Sequence, residues 1–319
     1  MSGQKPTISI IVPTHREGEA FRQCLSSLAQ ASPPPDEVIL ISDGAGSSIE
    51  RLAEEFGFRC FQSFSGRGPA KARNMGALHA KGDLLFFIDS DVTIPRDAVA
   101  LVRMAFVKDP GISAVIGSYD DAPAAVNFLS QYKNLFHHYV HQISNEEAST
   151  FWCGCGAIRR EVLLHLGGLD EEYLRPCIED IEFGYRIKKS GHRIQLLKAL
   201  QCRHLKRWGI LALLISDFFD RALPCTELIL RDRMLINDLN LQMTNRISVA
   251  LVFASILLLA VGFLHPIFAG VALTCFCVVL YINLPLYRFF TPGGNYGLRE
   301  IVDTHFLGKK NPRIAYLGP

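Results

Sequence analysis

Two short acidic patterns carry most of the chemistry this sequence could do. The first is Asp89-Ser90-Asp91, directly behind the apolar run Leu84-Leu85-Phe86-Phe87-Ile88. Carboxylates two residues apart at the end of a buried strand can both turn toward one hard cation. Mg2+ and Mn2+ prefer oxygen ligands and are usually held by one or two carboxylates plus phosphate oxygens. Such a pair is a poor complete cage and a good half of one, with a diphosphate supplying the rest. The second pattern is Glu179-Asp180, at the head of Ile181-Glu182-Phe183-Gly184-Tyr185-Arg186. Adjacent acids there either offset a helix dipole in solvent or supply a general base. A third feature, Ser65 to Asn74, is a glycine-bearing turn opening a helix, with Lys71 and Arg73 adding charge where backbone amides already favour anions. It is not a Walker loop, because no Gly-Lys-Ser/Thr follows. Nor is it a dinucleotide Gly-x-Gly-x-x-Gly, because position 71 is Lys. An ordinary turn with solvated cations is the alternative.

The elements that must position these residues alternate. Ile8 to Val12, Val38 to Ile41, Phe58 to Phe61 and Leu84 to Ile88 read as strands. Between them, Phe21, Leu25, Leu28 and Ala29, and then Ile49, Leu52, Ala53 and Phe56, recur at helical spacing. Pro69 to Ala80 reads as a helix with proline in its first turn, and Pro95 to Phe106 as another. The strands are continuous apolar runs, which suits a mostly parallel sheet covered by helices on both faces. Ligands of such sheets bind at the carboxyl ends of the strands. There the sequence places Pro13-Thr14-His15-Arg16-Glu17, Asp43-Gly44 and Asp89-Ser90-Asp91, so three acidic clusters are expected on one rim.

The whole chain has 319 residues, with 33 Lys plus Arg against 31 Asp plus Glu and a formal net charge of +2. That balance excludes the broad basic surface of a nucleic-acid binder. At 49% hydrophobic and 20% charged, the chain is not disordered. Nine cysteines without a secreted-domain spacing, behind a polar start that does not read as a leader, fit reduced thiols facing the cytoplasm. Residues 209–246 read as an amphipathic segment, either interfacial or packed on the domain, with Leu211, Leu214, Ile215, Phe218 and Ala222 on one face. Ile247 to Leu264 and Pro266 to Leu286 carry no charge, and each approaches the roughly 20 residues that cross a hydrocarbon core. Gly262 and His265-Pro266 break the run, so residues 247–287 are expected to be two transmembrane helices in a hairpin. Arg231, Arg233 and Arg246 precede them, and Arg288, Arg299, Lys309, Lys310 and Arg313 follow. The positive-inside rule then places the large domain and the tail, 288–319, in the cytoplasm.

The order Pro13-Thr14-x-x-Glu17, Asp43-Gly44, Gly68-Pro69-Ala70-x-x-Arg73-Asn74-x-Gly76 and Asp89-x-Asp91 resembles family 2 glycosyltransferases of the GT-A fold. So does Glu179-Asp180-Ile181-Glu182-Phe183-Gly184-Tyr185-Arg186 followed by Gly191-His192. The resemblance covers roughly Thr7 to Trp208 and implies a GT-A, Rossmann-like catalytic domain over residues 1–208. It implies that Asp43 holds a nucleobase with help from Pro13, Thr14 and Glu17, and that Arg73 approaches the nucleotide or its phosphates. It implies that Asp89 contacts ribose or metal, that Asp91 binds the metal, and that His204 completes a metal or diphosphate site. Asp180 would be the general base, with Glu179 orienting the acceptor. Gly154, Cys155 and Gly156 would sit on the acceptor side, and Arg207 and Trp208 would close over the substrates.

The implied activity is an inverting, divalent-cation-dependent transfer from a nucleotide-diphosphate sugar, and the apolar anchor at 247–287 suggests an acceptor in the membrane, such as a polyprenyl phosphate, lipid-linked saccharide or glycolipid. The chemistry is consistent: such a transfer needs one base, one cation for the departing diphosphate and alignment of both. Against the family pattern, His15 and Arg16 stand where an aromatic and an asparagine are common. Cys153 and Cys155 have no second pair at zinc-site spacing and read as small loop residues. His137, His138 and His141 lack a His-Glu-x-x-His frame and read as a polar or interface helix face. The alternatives are a catalytically silent nucleotide-sugar sensor or scaffold, a processive synthase, and a nicotinamide oxidoreductase. The last lacks its glycine fingerprint after the first strand.

Overall fold

The computed structural model describes residues 5–44, 47–63, 68–233, 238–239, 242–262 and 265–290. The expected turn at Ser65 to Arg67 and the basic tail with Arg299, Lys309, Lys310 and Arg313 lie outside them. The chain divides into two compact units, Met1–Leu235 and Ile236–Pro319.

In the first unit the strands are β1 (Ile8–Thr14), β2 (Glu37–Asp43), β3 (Arg59–Ser63), β4 (Leu84–Ile88), β5 (Val92–Thr93), β6 (Ala114–Tyr119), β7 (Glu147–Ala148), β8 (Cys155–Arg159) and β9 (Ile194–His204). The helices are α1 (Glu19–Ala29), α2 (Ser47–Phe56), α3 (Pro69–His79), α4 (Ala98–Lys108), α5 (Phe128–Ile143), α6 (Arg160–His165) and α7 (Glu179–Lys189). A continuous helical stretch follows: α8 (Ile210–Ile215), a π-helical turn at Ser216–Ala222, and α9 (Leu223–Asp232).

Among the described residues the strands form one sheet in the order β3-β2-β1-β4-β8-β6-β9-β5, with β7 on β9. The β3-β2-β1-β4 half is parallel, with Ile10 opposite Val38 on one side and Phe86 on the other. β8 then runs antiparallel to both β4 and β6, so the sheet is mixed. β6 is thereby parallel to β4, and β9 runs parallel to β6. One rim consequently collects Thr14, Asp43, Asp89, Tyr119 and His204 from strand ends, together with the start of β8.

Side-chain alternation explains the layers. Ile8, Ile10, Val12, Leu40, Phe86 and Ile88 point to one face, where they pack on Phe21, Leu25 and Leu28 of α1 and Val99, Val102 and Phe106 of α4. Each of these is essentially removed from water, and full burial of such a side chain stabilises by about 1.5–3 kcal/mol. On the opposite face Ile11 and Ile41 meet Gly76 of α3, and Phe87 packs edge-on to Phe151, which packs edge-on to Phe183 of α7. Both helices that carry candidate site residues, α3 and α7, therefore lie on this face.

The second unit contains α10 (Met243–Val261), α11 (Pro266–Ile282) and α12 (Leu284–Phe290). Among the described residues α10 is the one helix long and apolar enough by itself to cross a membrane. α11 passes only together with α12, across a 58° bend. Ser248, early in α10, accepts a 2.9 Å hydrogen bond from Asn283, just past α11, so the two helices run antiparallel. The expectation of two transmembrane helices is thus met in composition by one helix.

Candidate active site

The site begins with a glycine. Gly68 caps α3 with φ 88°, a left-handed conformation that other residues rarely adopt. A Cβ there would stand 2.6 Å from the carbonyl oxygen of Leu174, so only glycine lets the helix start dock on the 173–174 backbone. Its N–H donates to Asp43 Oδ2 at 3.3 Å. Asp43 Oδ1 is buried and has no hydrogen-bond partner. A buried carboxylate oxygen left unpaired is costly, and any hydrogen-bond donor brought to it would lower that cost. Thr14 is buried at the end of β1 and donates to the carbonyl of Arg16 at 2.9 Å. Pro13 is half-buried and Glu17 exposed.

Just past the end of β4, the two acids of Asp89-Ser90-Asp91 part company. Asp89 turns to Arg73, whose Nη2 donates at 2.7 Å. Asp91 turns to β9: its Oδ2 lies 3.4 Å from His204 Nε2, and its carbonyl accepts from Leu205 N–H at 2.8 Å. The Val92–His204 bridge of β5 with β9 fixes that pairing. Burial pushes the Asp91 carboxyl up, but the hydrogen bond and charge of His204, joined by Lys206, outweigh it and hold Asp91 below the usual range. Behind His204 the ring of Tyr119 stacks at 5.2 Å, and Tyr119 in turn meets Trp152 edge-on at 4.8 Å.

Arg73 also reaches α7. Its Nη1 donates to Glu179 Oε1 at 2.8 Å, and the other Glu179 oxygen accepts from Cys177 N–H at 2.8 Å. Glu179 is buried and both its oxygens are used internally, so it is not free to orient an acceptor. Asp180 is half-buried. Its Oδ1 accepts from Ile181 N–H at 2.8 Å and its Oδ2 from Cys153 N–H at 3.4 Å. Burial first, then repulsion from Glu179, raise the Asp180 carboxyl to about 7, with Arg73 opposing. That is a value suited to a base near neutrality.

The remaining expected positions divide. Asp89 N–H donates to Gly154 C=O at 3.3 Å, so the start of β8 borders the site. Cys155 belongs to the hydrophobic core, and its Sγ faces β6, where a Cβ on Gly117 would approach it to 2.9 Å. The β alternation turns its side chain into the core. Gly156 is likewise buried, packed under the Trp152 carbonyl. Trp208 is tied down rather than mobile over the site: its N–H donates to Ser130 Oγ at 2.7 Å and its carbonyl accepts from Asn127 at 2.8 Å. Arg207 is exposed. Tyr119, Cys153 and Lys206 belong to the site, yet spacing alone did not mark Tyr119 or Lys206. The one available signal was that Tyr119 ends a strand.

As a metal site the donors fit a half-cage. Asp91 and His204 offer one oxygen and one nitrogen side by side, while Asp89 is engaged by Arg73. Among the described residues no group of three or more His, Cys, Asp and Glu comes together to hold a metal ion. A cation here would need oxygens from a bound diphosphate.

Comparison with known proteins agrees with this geometry. Residues 9–167 match the family described as glycosyl transferase family 2. The "Probable glycosyltransferase YdaM" of Bacillus subtilis (strain 168) is 26% identical over 211 residues, 61% of this chain and 49% of that protein. A poly-beta-1,6-N-acetyl-D-glucosamine synthase of Staphylococcus epidermidis is 30% identical over 115 residues, covering 35% of this chain and 28% of that one. The chain thus spans about half the length of the first of these relatives, and less of the second. Among solved structures, the mannosyltransferase PcManGT from Pyrobaculum calidifontis, in complex with GDP-Man and Mn2+, superposes with a TM-score of 0.65. It is 20% identical and covers 89% of this chain and 84% of that one, which speaks to a shared GT-A fold. With its matched strands, its strand-end acids and this fold in place, the chain belongs to the family 2 glycosyl transferases.

Proposed function

We propose that the chain is an inverting glycosyltransferase that moves a sugar from a nucleotide-diphosphate donor to a membrane-associated acceptor. The observation that carries this is the single guanidinium of Arg73, 2.7 Å from Asp89 and 2.8 Å from Glu179. It brings the metal-type acids of β4 and the base-type acids of α7, some ninety residues apart in sequence, to one site. Asp43 Oδ1 accepts the ring N–H of the nucleobase, an occupant that would satisfy an otherwise orphaned oxygen. Asp91 and His204 would hold a divalent cation, which when bound offsets the charge growing on the departing diphosphate. Asp180, oriented by two backbone N–H groups, takes the acceptor hydroxyl proton. One base and no nucleophile give inversion. Mn2+ beside GDP-Man in PcManGT supports the cation.

The acceptor reading rests on apolar surface. α10 exposes Phe253, Ile256 and Leu257 along its length. In the first unit Ile210, Leu211, Leu214 and Phe218 are exposed on α8 and the π turn, as an interfacial segment requires. Asp220 of that turn accepts from Cys177 Sγ at 3.0 Å and pairs with Arg175 at 3.3 Å, tying the segment to the loop ahead of α7. The α11–α12 pair would supply a second crossing, and the basic flanks keep the large domain cytoplasmic.

The test is a panel of nucleotide sugars with Mg2+ or Mn2+, followed by nucleotide diphosphate release with and without a membrane lipid extract. Turnover of one donor that depends on lipid is expected. Absence of binding and hydrolysis across the panel removes the proposal. Lipid-independent turnover removes the acceptor class alone.

A further inference from the structure

The helix α3 carries two consecutive residues whose side chains both leave the sheet for the region around α7. Asn74 Oδ1 accepts from Leu169 N–H at 2.8 Å, and its Nδ2 donates to Leu169 C=O at 2.8 Å and to Glu171 at 3.0 Å. Arg73, one residue earlier, reaches Glu179 and Asp89. Its side chain is 5% exposed, as is that of Glu179, whereas that of Asp89 is 35% exposed. Two corners of the guanidinium are therefore filled by carboxylates, and the group has almost no surface left to offer a phosphate. Glu179 is filled as well, since its second oxygen caps the Cys177 N–H.

We propose that Arg73 is a positioning residue: a two-armed clamp that fixes the Glu179–Asp180 end of α7 against Asp89 at the end of β4, and does not contact the donor. Glu179 is the clamp's receiving arm and Asp180 the group it places. This rests on the reading of the site as a sugar-transfer centre, but the clamp itself is a property of the fold. Planar guanidinium geometry makes the arrangement specific, because two carboxylates on separate elements are held at fixed mutual angles. Lysine offers one point charge and cannot hold both. Asn74 restrains the chain ahead of α7 in parallel, so α3 works as the brace between the two halves of the site.

The experiment uses the full-length protein in detergent and four variants: Arg73→Lys, Arg73→Met, Glu179→Gln and the double variant Arg73→Met/Glu179→Gln. Three readouts separate the possibilities. Thermal unfolding gives the Arg73–Glu179 coupling. Each single Met or Gln change should lower the midpoint by several degrees, and the double by clearly less than their sum. The double variant also removes both buried charges together, so it stays informative if Arg73→Met alone does not fold. Calorimetric titration with UDP and with GDP, each with Mn2+, should give affinities within about threefold of the parent protein for Arg73→Lys and Glu179→Gln. Nucleotide release from UDP-GlcNAc or GDP-mannose, with Mn2+ and a membrane lipid extract as acceptor, should then show kcat down about 100-fold in both, the loss expected when a reacting group is misplaced by about 1 Å. KM for the donor should be nearly unchanged.

Additive unfolding effects overturn the clamp. A tenfold or greater loss of nucleotide affinity in Arg73→Lys, absent in Glu179→Gln, makes Arg73 a donor ligand and overturns the assignment. If the parent protein binds neither nucleotide, the functional reading falls while the unfolding cycle still decides the clamp.

Discussion

Asp180 shows how surroundings make a reagent of a common side chain. A carboxylate in water is ionised well below neutrality and is a feeble base. Burial and the charge of Glu179 lift Asp180 to about 7, while two backbone N–H groups keep it aimed. The base must be unprotonated, so kcat should climb as pH rises through about 7 and level off above it; a pH–rate profile of the loaded enzyme checks this. Asp180→Asn should lower kcat by about 100- to 10,000-fold while leaving donor affinity unchanged by calorimetry, a result that a silent sensor would not give. Stability should move the other way. A carboxyl whose folded pKa is raised binds its proton more tightly when folded, so its contribution is lost as pH rises toward about 7. Asn cannot ionise, and at pH 8 the variant should melt at or above the parent. Asp43 makes the matching prediction for the donor. Asp43→Ala removes an acceptor worth about 1.5–3 kcal/mol for a hydrogen bond to a charged group, so nucleotide affinity should fall roughly 10- to 100-fold with little change in kcat.

At the scale of elements, α7 is the piece whose placement matters most. Its charges follow the helix dipole, with Glu179, Asp180 and Glu182 in the first turn and Arg186, Lys188 and Lys189 in the last. The helix is thus legible in sequence, but its docking is not. Gly184 lies against the backbone of Thr150 and Phe151, where a Cβ would come within 2.3 Å of Phe151 N. Cys153, which orients Asp180, follows in that same segment. Gly184→Ala must push α7 off the loop, an overpacking cost of about 1–3 kcal/mol. The melting midpoint should drop, and kcat should fall more than donor affinity does. The strands β1 to β4 read well from the sequence because their apolar runs are continuous and the helices between them amphipathic. β5, β6, β7 and β9 did not, and neither did β8, which threads antiparallel between β4 and β6. Cys155 to Arg159 is a short stretch whose partners lie some seventy and forty residues away, and no local pattern encodes that pairing.

The whole molecule joins a sheet domain to a unit rich in exposed apolar side chains. Phe253 and Leu257 of α10 are each about two-thirds exposed, a surface that in the proposed reading faces lipid. Arg at the centre of a membrane helix costs about 2.5–3.5 kcal/mol in insertion. Leu257→Arg should therefore shift the protein from the carbonate-washed membrane pellet toward the soluble or aggregated fraction. An unchanged pellet fraction would show that α10 does not hold the chain in the bilayer. The segment from α8 to α9 belongs with the catalytic unit, Met1–Leu235, which places its exposed Leu211 and Phe218 on the body that bears the site.

Composition, apolar runs and strand-end acids determined by themselves that this chain folds as a helix-covered sheet with an acidic rim and an apolar helical end. Those features are local: burial periodicity and charge are written residue by residue. The tertiary structure alone decided which acids do what. Asp89 and Asp91 are equivalent on paper, yet one falls to Arg73 and the other to His204. Glu179 and Asp180 are neighbours, yet one is buried and locked to Arg73 while the other is half-buried and held by two backbone N–H groups. The reason is that a carboxylate's role is set by which donors reach its two oxygens, and those donors arrive from elements far off in the chain.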